Sequence, residues 1–134
     1  PKDLAVLRDG ERLDVPVEQG LAGDIVRDIG KETMREYGEI VRGSKTAVSS
    51  GPLGVFEQKS FELGSKTVLE AMADQKGFTV VGGGHMGSYA SMLGFDRRLS
   101  HISTAGGAML TFLAGEDLPG IRALLDAAHR HKPH

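Results

Sequence analysis

Short apolar runs in the first 20 residues have the length and spacing of β-strands. The segments DLAVL (3–7) and RLDVPV (12–17) are separated by RDGE, in which the pair Asp9-Gly10 is a hairpin signal. The pattern therefore predicts a β-hairpin near the beginning of the chain.

A helical pattern follows the hairpin, and strands and helices then alternate. Residues 28–42 carry Met34, Tyr37, Ile40 and Val41 on one face at helical spacing, which predicts a helix with this face inward. The later pattern predicts strands at 45–49, 78–81 and 99–103 and helices at 61–75, 86–94, 106–115 and 118–130. Because strand and helix alternate three times, we expect an α/β fold: a parallel sheet with flanking helices, in a Rossmann-like three-layer arrangement.

Composition and charge narrow the class of protein. A chain of 134 residues suits one domain, and its formal net charge of −2 argues against a nucleic-acid partner. The absence of cysteine excludes disulfides and cysteine-based zinc sites, and no apolar run approaches the roughly 20 residues that span a bilayer. We expect a cytoplasmic protein without a membrane partner. Because the chain opens with Pro1 rather than methionine, we also expect it to be a piece of a longer protein.

Glycine is concentrated where the predicted strands end. Thirteen of the nineteen glycines come after residue 50, and the segments SGPLGVFE, GGGHMGS and TAGGA each follow a strand of the alternating region. The carboxyl ends of parallel strands meet at one edge of the sheet, where ligands of such folds bind. Glycine lets the backbone approach a ligand closely, and free N–H groups at helix starts attract anions. Three such junctions on one edge predict a polyphosphate ligand.

Two familiar phosphate-binding motifs do not account for this pattern. Gly82, Gly84 and Gly87 fit the spacing G-x-G-x-x-G, but a dinucleotide fold needs an acidic residue about 20 positions later, at the end of the next strand. The next predicted strand, LSHIS, has no carboxylate in it or directly after it. A Walker loop, G-x-x-x-x-G-K-[ST], occurs nowhere in the chain. Both interpretations are therefore rejected.

Several longer segments carry a more specific signature. In chain order they are PKDLAV, DIGKET, GPLGVFE, FELGSKTVLEAMA, VVGGGH and SHISTAGGAMLTFLAGEDLPGIRAL. Over residues 1–126 the chain resembles the C-terminal nucleotide-binding domain of phosphoglycerate kinases, and the histidine after GGG and the stretch SSGPLG look like the archaeal branch. The resemblance implies the later part of that domain, with ATP or ADP and Mg²⁺ as its cofactors.

The resemblance also implies a role for each matched residue. Glu57 is expected to accept hydrogen bonds from the ribose hydroxyls, and the backbone amides of Gly84 and Gly107 are expected to face the transferring phosphoryl group as the catalytic pair. From the residues alone, the alternative is a solvated carboxylate in the first turn of a helix, which complements the helix dipole. The other residues that the resemblance assigns to the nucleotide are Ser50, Pro52, Gly54, Gly82, Gly83, His85, Met86, Thr104 and Gly106.

The chain departs from the family pattern directly after the triple glycine. His85-Met86 stands where most relatives have Asp-Thr, so the carboxylate that helps to hold magnesium and the hydroxyl that contacts phosphate are both replaced. Mg²⁺ prefers oxygen ligands, and a neutral imidazole is a poor substitute. We therefore predict no metal ligand in this chain. Ala105 and Ser65 replace a glycine and a threonine, which are smaller changes.

The resemblance implies that the whole enzyme transfers a phosphoryl group reversibly between ATP and 3-phosphoglycerate, in glycolysis and gluconeogenesis. The family's N-terminal domain, which binds the acidic sugar substrate, and a lysine that reaches the transferring phosphate are expected upstream of Pro1. The alternative is a freestanding module that kept the fold and lost catalysis. We expect residues 127–134, which include His129, to form a frayed tail. We expect His101 to lie in the protein interior.

Overall fold

The computed structural model describes residues 1–130, and its first part is a three-stranded antiparallel sheet. Strands β1 (Asp3–Arg8), β2 (Glu11–Pro16) and β3 (Ile25–Ile29) pair in the order β2-β1-β3. Asp9 and Gly10 connect β1 to β2 with φ angles of +51° and +83°. Two positive φ angles are what the tightest hairpin turns require, so the predicted hairpin is confirmed.

The predicted start of the first long helix is wrong. Residues 28 and 29 belong to β3, where Asp28 pairs with Ala5 and Ile29 with Leu4, and helix α1 spans Lys31–Gly43. Only Gly30 separates the strand from the helix. An apolar pattern that passes from strand to helix without a loop reads as one continuous helix.

The second part of the chain is the predicted α/β unit. Strands β4 (Thr46–Ser50), β5 (Phe78–Gly82) and β6 (His101–Ser103) pair in parallel in the order β4-β5-β6. The helices that follow these strands are α2 (Leu63–Asp74), α3 (Gly84–Met92), α4 (Gly107–Leu113) and α5 (Pro119–Arg130). The predicted fold class is confirmed, and each β-strand of this unit leads into the junctions that the sequence marked with glycine.

The main core lies between the parallel sheet and helices α2 and α3. Leu69 and Met72 of α2, Val81 of β5 and Met86 of α3 are almost wholly buried there. Helix α4 lies on the opposite face of the sheet, because its Met109 packs against Gly82. The sheet is therefore covered on both faces in this region, as a three-layer fold requires.

Two apolar-face predictions need correction. Ile40 was expected inward with Met34, but 63% of its surface is exposed at an open cavity between α1 and β4, while Met34 is buried. His101 was expected in the interior, but it is exposed at the first residue of β6, which is an edge strand. The side chain of His101 lines an open cavity with Phe78 and Phe112, and a strand of three residues is too short for its pattern to indicate which face is covered.

The C-terminal part ends with α5, which continues to Arg130 with His129 exposed in its last turn. The remainder of the expected tail, 131–134, lies outside the described residues. Within residues 1–130, no helix combines the length and the apolar character needed to cross a membrane.

Candidate nucleotide site

The carboxyl ends of the three parallel strands are aligned. Ser50, the last residue of β4, pairs with Gly82, the last residue of β5, and Gly82 pairs in turn with Ser103 at the end of β6. The three junctions thus begin at the same level of the sheet, side by side. The sequence-based expectation that they share one edge follows directly from this register.

The second and third junctions are tied together by the backbone. The N–H of Gly83 donates to the carbonyl oxygens of Ser103 and Ala105, at 3.1 Å and 3.0 Å. Gly83 has a φ of +94°, a conformation that favours glycine. A Cβ atom at Gly106 would lie 3.5 Å from Gly83 Cα and 3.9 Å from the hydroxyl oxygen of Ser50. Ser50, Gly83 and Gly106 therefore bring all three junctions to one place.

Gly84 and Gly107 occupy equivalent positions as the first residues of α3 and α4. Both are exposed, and a Cβ atom at either one would have no neighbouring atom within 4 Å. The first N–H groups of a helix have no partner within the helix and carry its partial positive charge. Open space in front of two such helix starts is the arrangement that a bound phosphate needs. Thr104 is exposed in the loop that leads to the second of them.

Two of the assigned residues serve packing at this edge. A Cβ atom at Gly82 would collide with the side chain of Met109, so glycine is required there for α4 to lie against the sheet. Met86 is fully buried in the core next to Tyr89. Its side chain points away from the open edge, and only its backbone can face a ligand.

The first junction is a longer loop, Gly51–Glu62, folded onto α2. The hydroxyl oxygen of Ser65 accepts hydrogen bonds from the N–H groups of Leu53 and Gly54, at 3.0 Å and 3.4 Å. A Cβ atom at Gly54 would collide with the carboxylate of Asp28 and would lie 2.5 Å from the carbonyl oxygen of Phe61. Gly54 is thus needed for close packing of this loop. Pro52 is exposed beside it.

Glu57 is exposed at a turn in the middle of this loop. Helix α2 begins only at Leu63, so the alternative of a carboxylate in the first helical turn is wrong. Glu57 lines an open cavity of about 530 Å³ together with Phe56, Lys59, Glu62, Tyr89 and Met92. Its carboxylate is therefore accessible to a ligand that reaches the loop.

An aromatic cluster connects this loop to α3. The rings of Phe56 and Tyr89 stack with centroids 4.8 Å apart, and the ring of His85 lies 6.4 Å from that of Phe56 in a tilted arrangement. The hydroxyl group of Tyr89 donates to Glu62 Oε2 at 3.1 Å. The pKa of Tyr89 is raised above its usual value, mainly by burial and to a smaller extent by this bond to a carboxylate, so the phenol stays protonated.

The residues present do not fit a direct protein ligand for magnesium. His85 is exposed at the second residue of α3, where the family pattern has a carboxylate. Among residues 1–130, no three histidine or acidic side chains come close enough together to hold a metal ion. Phosphoglycerate kinases in general use ATP or ADP with Mg²⁺, which prefers oxygen ligands, whereas His85 offers a ring nitrogen at this position.

One feature of the site had no sequence-based prediction. Asp28 lies within the matched segment DIGKET, yet a role for its carboxylate is visible only in the structure, where it is buried against Arg12, Gly54 and Gly64. Nothing in the sequence signals this role, because the apolar pattern placed residue 28 at the start of a helix, and its burial in β3 is visible only in the structure.

Comparisons with known proteins agree with the resemblance. A family model described as phosphoglycerate kinase matches residues 1–116. The chain is 42% identical to the phosphoglycerate kinase of Methanothermobacter thermautotrophicus over 129 residues, which cover 96% of this chain and 31% of that protein. It is 45% identical to the enzyme of Methanopyrus kandleri over 125 residues, covering 93% and 31%.

Solved structures give the same result. Phosphoglycerate kinase from Pyrococcus horikoshii superimposes with a TM-score of 0.78 and 43% identity, covering 93% of this chain and 32% of that one. The Coxiella burnetii protein gives a TM-score of 0.81 at 30% identity, covering 91% and 33%. The chain therefore spans about a third of the length of the relatives it matches. Because the family model covers most of the chain and the relatives share its fold, the chain belongs to the phosphoglycerate kinase family.

Proposed function

We propose that this chain supplies part of the ATP and ADP site of a phosphoglycerate kinase, which transfers a phosphoryl group reversibly between ATP and 3-phosphoglycerate in the cytoplasm. It forms one partial nucleotide-binding domain of the whole enzyme. The single observation that carries the proposal is the closeness of Ser50, Gly83 and Gly106, with the Gly83 N–H bonded to Ser103 and Ala105, which brings three glycine junctions together at one sheet edge.

The phosphates bind at the two helix starts of this edge. The N–H groups of Gly84 and Gly107 face the open space and stabilise negative charge on the transferring phosphoryl group. Phosphoryl transfer depends on positioning and charge stabilisation more than on covalent chemistry, and preorganised N–H donors supply both. Gly106, Thr104 and the backbone of Met86 complete the cradle.

The nucleoside part binds toward the first junction. Glu57 accepts hydrogen bonds from the ribose hydroxyls, and Pro52 and Gly54 line the same pocket. An exposed carboxylate on an anchored loop suits this task, since its position is fixed while its oxygens stay free. 3-Phosphoglycerate and the N-terminal domain of the whole enzyme are the remaining partners of the proposal.

Titration with MgADP, followed by backbone amide shifts, tests the proposal. We expect the amides of Gly82–Gly84 and Gly106–Gly107 to shift together, with one saturation curve. A titration with MgCl₂ alone is the control for effects of the ion. Shifts confined to the C-terminal histidine-containing segment, with the junction amides unmoved, would contradict the proposal.

A further inference from the structure

The carboxylate of Asp28, on strand β3, is completely buried beneath the loop of residues 51–62, which we call the nucleotide loop. Its side chain has no exposed surface, and it lies 3.1 Å from Nη1 of Arg12, whose own side chain is 12% exposed. The N–H of Gly64, in the first turn of α2, donates to the same carboxylate at 2.9 Å. A buried charge of this kind is stable only while all its partners are in place.

This ion pair holds both ends of the segment that carries Glu57. At one end Gly54 packs so closely on the Asp28 carboxylate that a Cβ atom would collide with it. At the other end the carbonyl oxygen of Ser60 accepts a hydrogen bond from Arg12 Nη1 at 2.7 Å. Glu57 is the central residue of this segment, 54–60.

The segment between the two ends is compact. The N–H of Phe56 donates to Gly54 O at 2.9 Å, and the N–H of Gln58 donates to Val55 O at 2.9 Å. The N–H of Val55 also donates to the carbonyl oxygen of Arg27, next to Asp28 in β3, at 2.8 Å. A short segment with successive turns has little freedom of its own, so the placement of its ends fixes its centre.

We infer that the Arg12–Asp28 ion pair is a positioning device for Glu57 and thereby sets how tightly the protein binds the ribose of its nucleotide. The inference rests on the ribose role proposed above for Glu57. Arg12 and Asp28 do not touch the nucleotide; they act through the ends of segment 54–60. Misplacing a contact group by about an ångström has large effects on the interactions it makes.

A comparison of two ligands separates positioning from general stability. ADP offers both ribose hydroxyls to Glu57, whereas 2′,3′-dideoxy-ADP offers neither. We expect the wild-type chain to prefer ADP, and we expect Asp28→Asn and Arg12→Lys to lose about tenfold of this preference, the equivalent of one charged hydrogen bond. Binding of the dideoxy nucleotide should stay nearly unchanged in the folded variants.

Arg12→Lys keeps the charge beside Asp28 but loses the fork of donors that also reaches Ser60 O and Ile29 O. It therefore keeps the test informative if Asp28→Asn does not fold. Asp24→Asn is the matched control, because Arg8 on β1 and Asp24, directly before β3, form a two-bond ion pair at 3.0 Å and 2.7 Å, at the other end of β3 from Asp28. It should lower the melting temperature and keep the preference for ADP.

A double variant completes the design. If the ion pair acts through Glu57, Asp28→Asn should cause no further loss of ADP preference when Glu57 is already changed to Gln. Variants that melt at a lower temperature but keep the wild-type preference for ADP would overturn the positioning role and leave the ribose role of Glu57 intact. A wild-type chain that binds the two nucleotides equally would overturn the ribose role itself and the inference with it.

Discussion

The carboxylate of Asp3 on β1 caps helix α1 at Thr33. Asp3 Oδ1 accepts hydrogen bonds from the backbone N–H of Thr33 at 2.8 Å and from its hydroxyl group at 2.6 Å, and Oδ2 accepts from the N–H of Glu32 at 3.0 Å. Helix α1 has no capping side chain at its own N-cap residue, Gly30, which is glycine because a Cβ atom there would collide with the Asp3 carboxylate. A strand thus provides the cap for a helix.

We expect Asp3→Ala to lower the free energy of unfolding by about 2 to 3 kcal/mol, because it removes a helix cap and leaves the buried N–H of Thr33 without its carboxylate acceptor. Thermal and urea unfolding measure this loss. Glu11→Ala, on the exposed part of β2, is the control and should change stability by less than about 0.5 kcal/mol. Equal effects of the two substitutions would contradict the capping role.

Because of the Asp3 carboxylate, we expect the free energy of unfolding to depend on pH in the acid range. Burial acts to raise the pKa of Asp3, but the hydrogen bonds from Thr33 and Glu32 outweigh it and lower that pKa in the folded state. A lowered folded pKa contributes stability that is present above the unfolded pKa, near 4, and is lost as the pH falls through the folded value. The stability difference between wild type and Asp3→Asn should therefore be constant above about pH 5 and shrink below about pH 4.

Gly84→Val should impair nucleotide binding more than folding. A side chain at Gly84 meets open space in the folded protein, but it would occupy the volume in which we place the phosphate. Gly82→Val makes a direct contrast, because its side chain would collide with Met109 and should destabilise the fold by about 1 to 3 kcal/mol. ADP affinity and melting temperature, measured for both variants, check this. Parallel loss of both quantities in Gly84→Val would mean that this glycine serves the turn and has no special relation to phosphate.

His85→Asp should make ADP binding more dependent on magnesium. The substitution places a carboxylate, a ligand that Mg²⁺ prefers, at the second residue of α3, and the negative charge also suits a helix N-terminus. The ratio of ADP affinities with and without Mg²⁺ should rise relative to wild type, while His85→Asn should leave the ratio close to the wild-type value. An unchanged ratio in His85→Asp would show that this position does not face the phosphates.

A polypeptide of these 134 residues alone should not catalyse phosphoryl transfer between ATP and 3-phosphoglycerate. The resemblance implies that the whole enzyme neutralises the transferring phosphoryl group with magnesium, a lysine and an arginine outside the matched residues. In the proposed function this chain contributes only the amide donors of Gly84 and Gly107. Loss of even one preorganised donor commonly lowers a rate by 10² to 10³, as an order of magnitude. A coupled assay with ATP and 3-phosphoglycerate should read background. Turnover that copurifies with the chain and disappears in Gly107→Val would contradict this expectation.

The features that the sequence indicated are those that local patterns determine. The hairpin depends on two adjacent residues, Asp9 and Gly10, and the shared edge of the junctions follows from the parallel order of strands that periodicity marks. The resemblance added the roles of Glu57, Gly84 and Gly107, which no local pattern could supply.

The features that the sequence did not indicate depend on partners far along the chain. Strand β3 exists because it pairs with β1, some 20 residues earlier, and its end merges with the helical pattern of α1. The task of Gly54 depends on Asp28, and that of Gly82 depends on Met109. Each of these glycines matched a nucleotide motif, and packing of the fold explains them as well. One sequence alone does not tell whether such a glycine is there for packing or for binding a ligand.

The bond from the Gly83 N–H to Ser103 and Ala105 also bears on the kinetics of nucleotide exchange. The second and third junctions are already hydrogen-bonded to each other before a nucleotide binds. Little conformational entropy of these two loops is therefore lost on binding. In the proposed binding mode the same hydrogen bonds also hold these two loops together while the nucleotide leaves. We therefore expect dissociation in the proposed binding mode to begin at the ribose end, where the loop that carries Glu57 is held by other contacts, so that substitutions in this loop act on the off-rate.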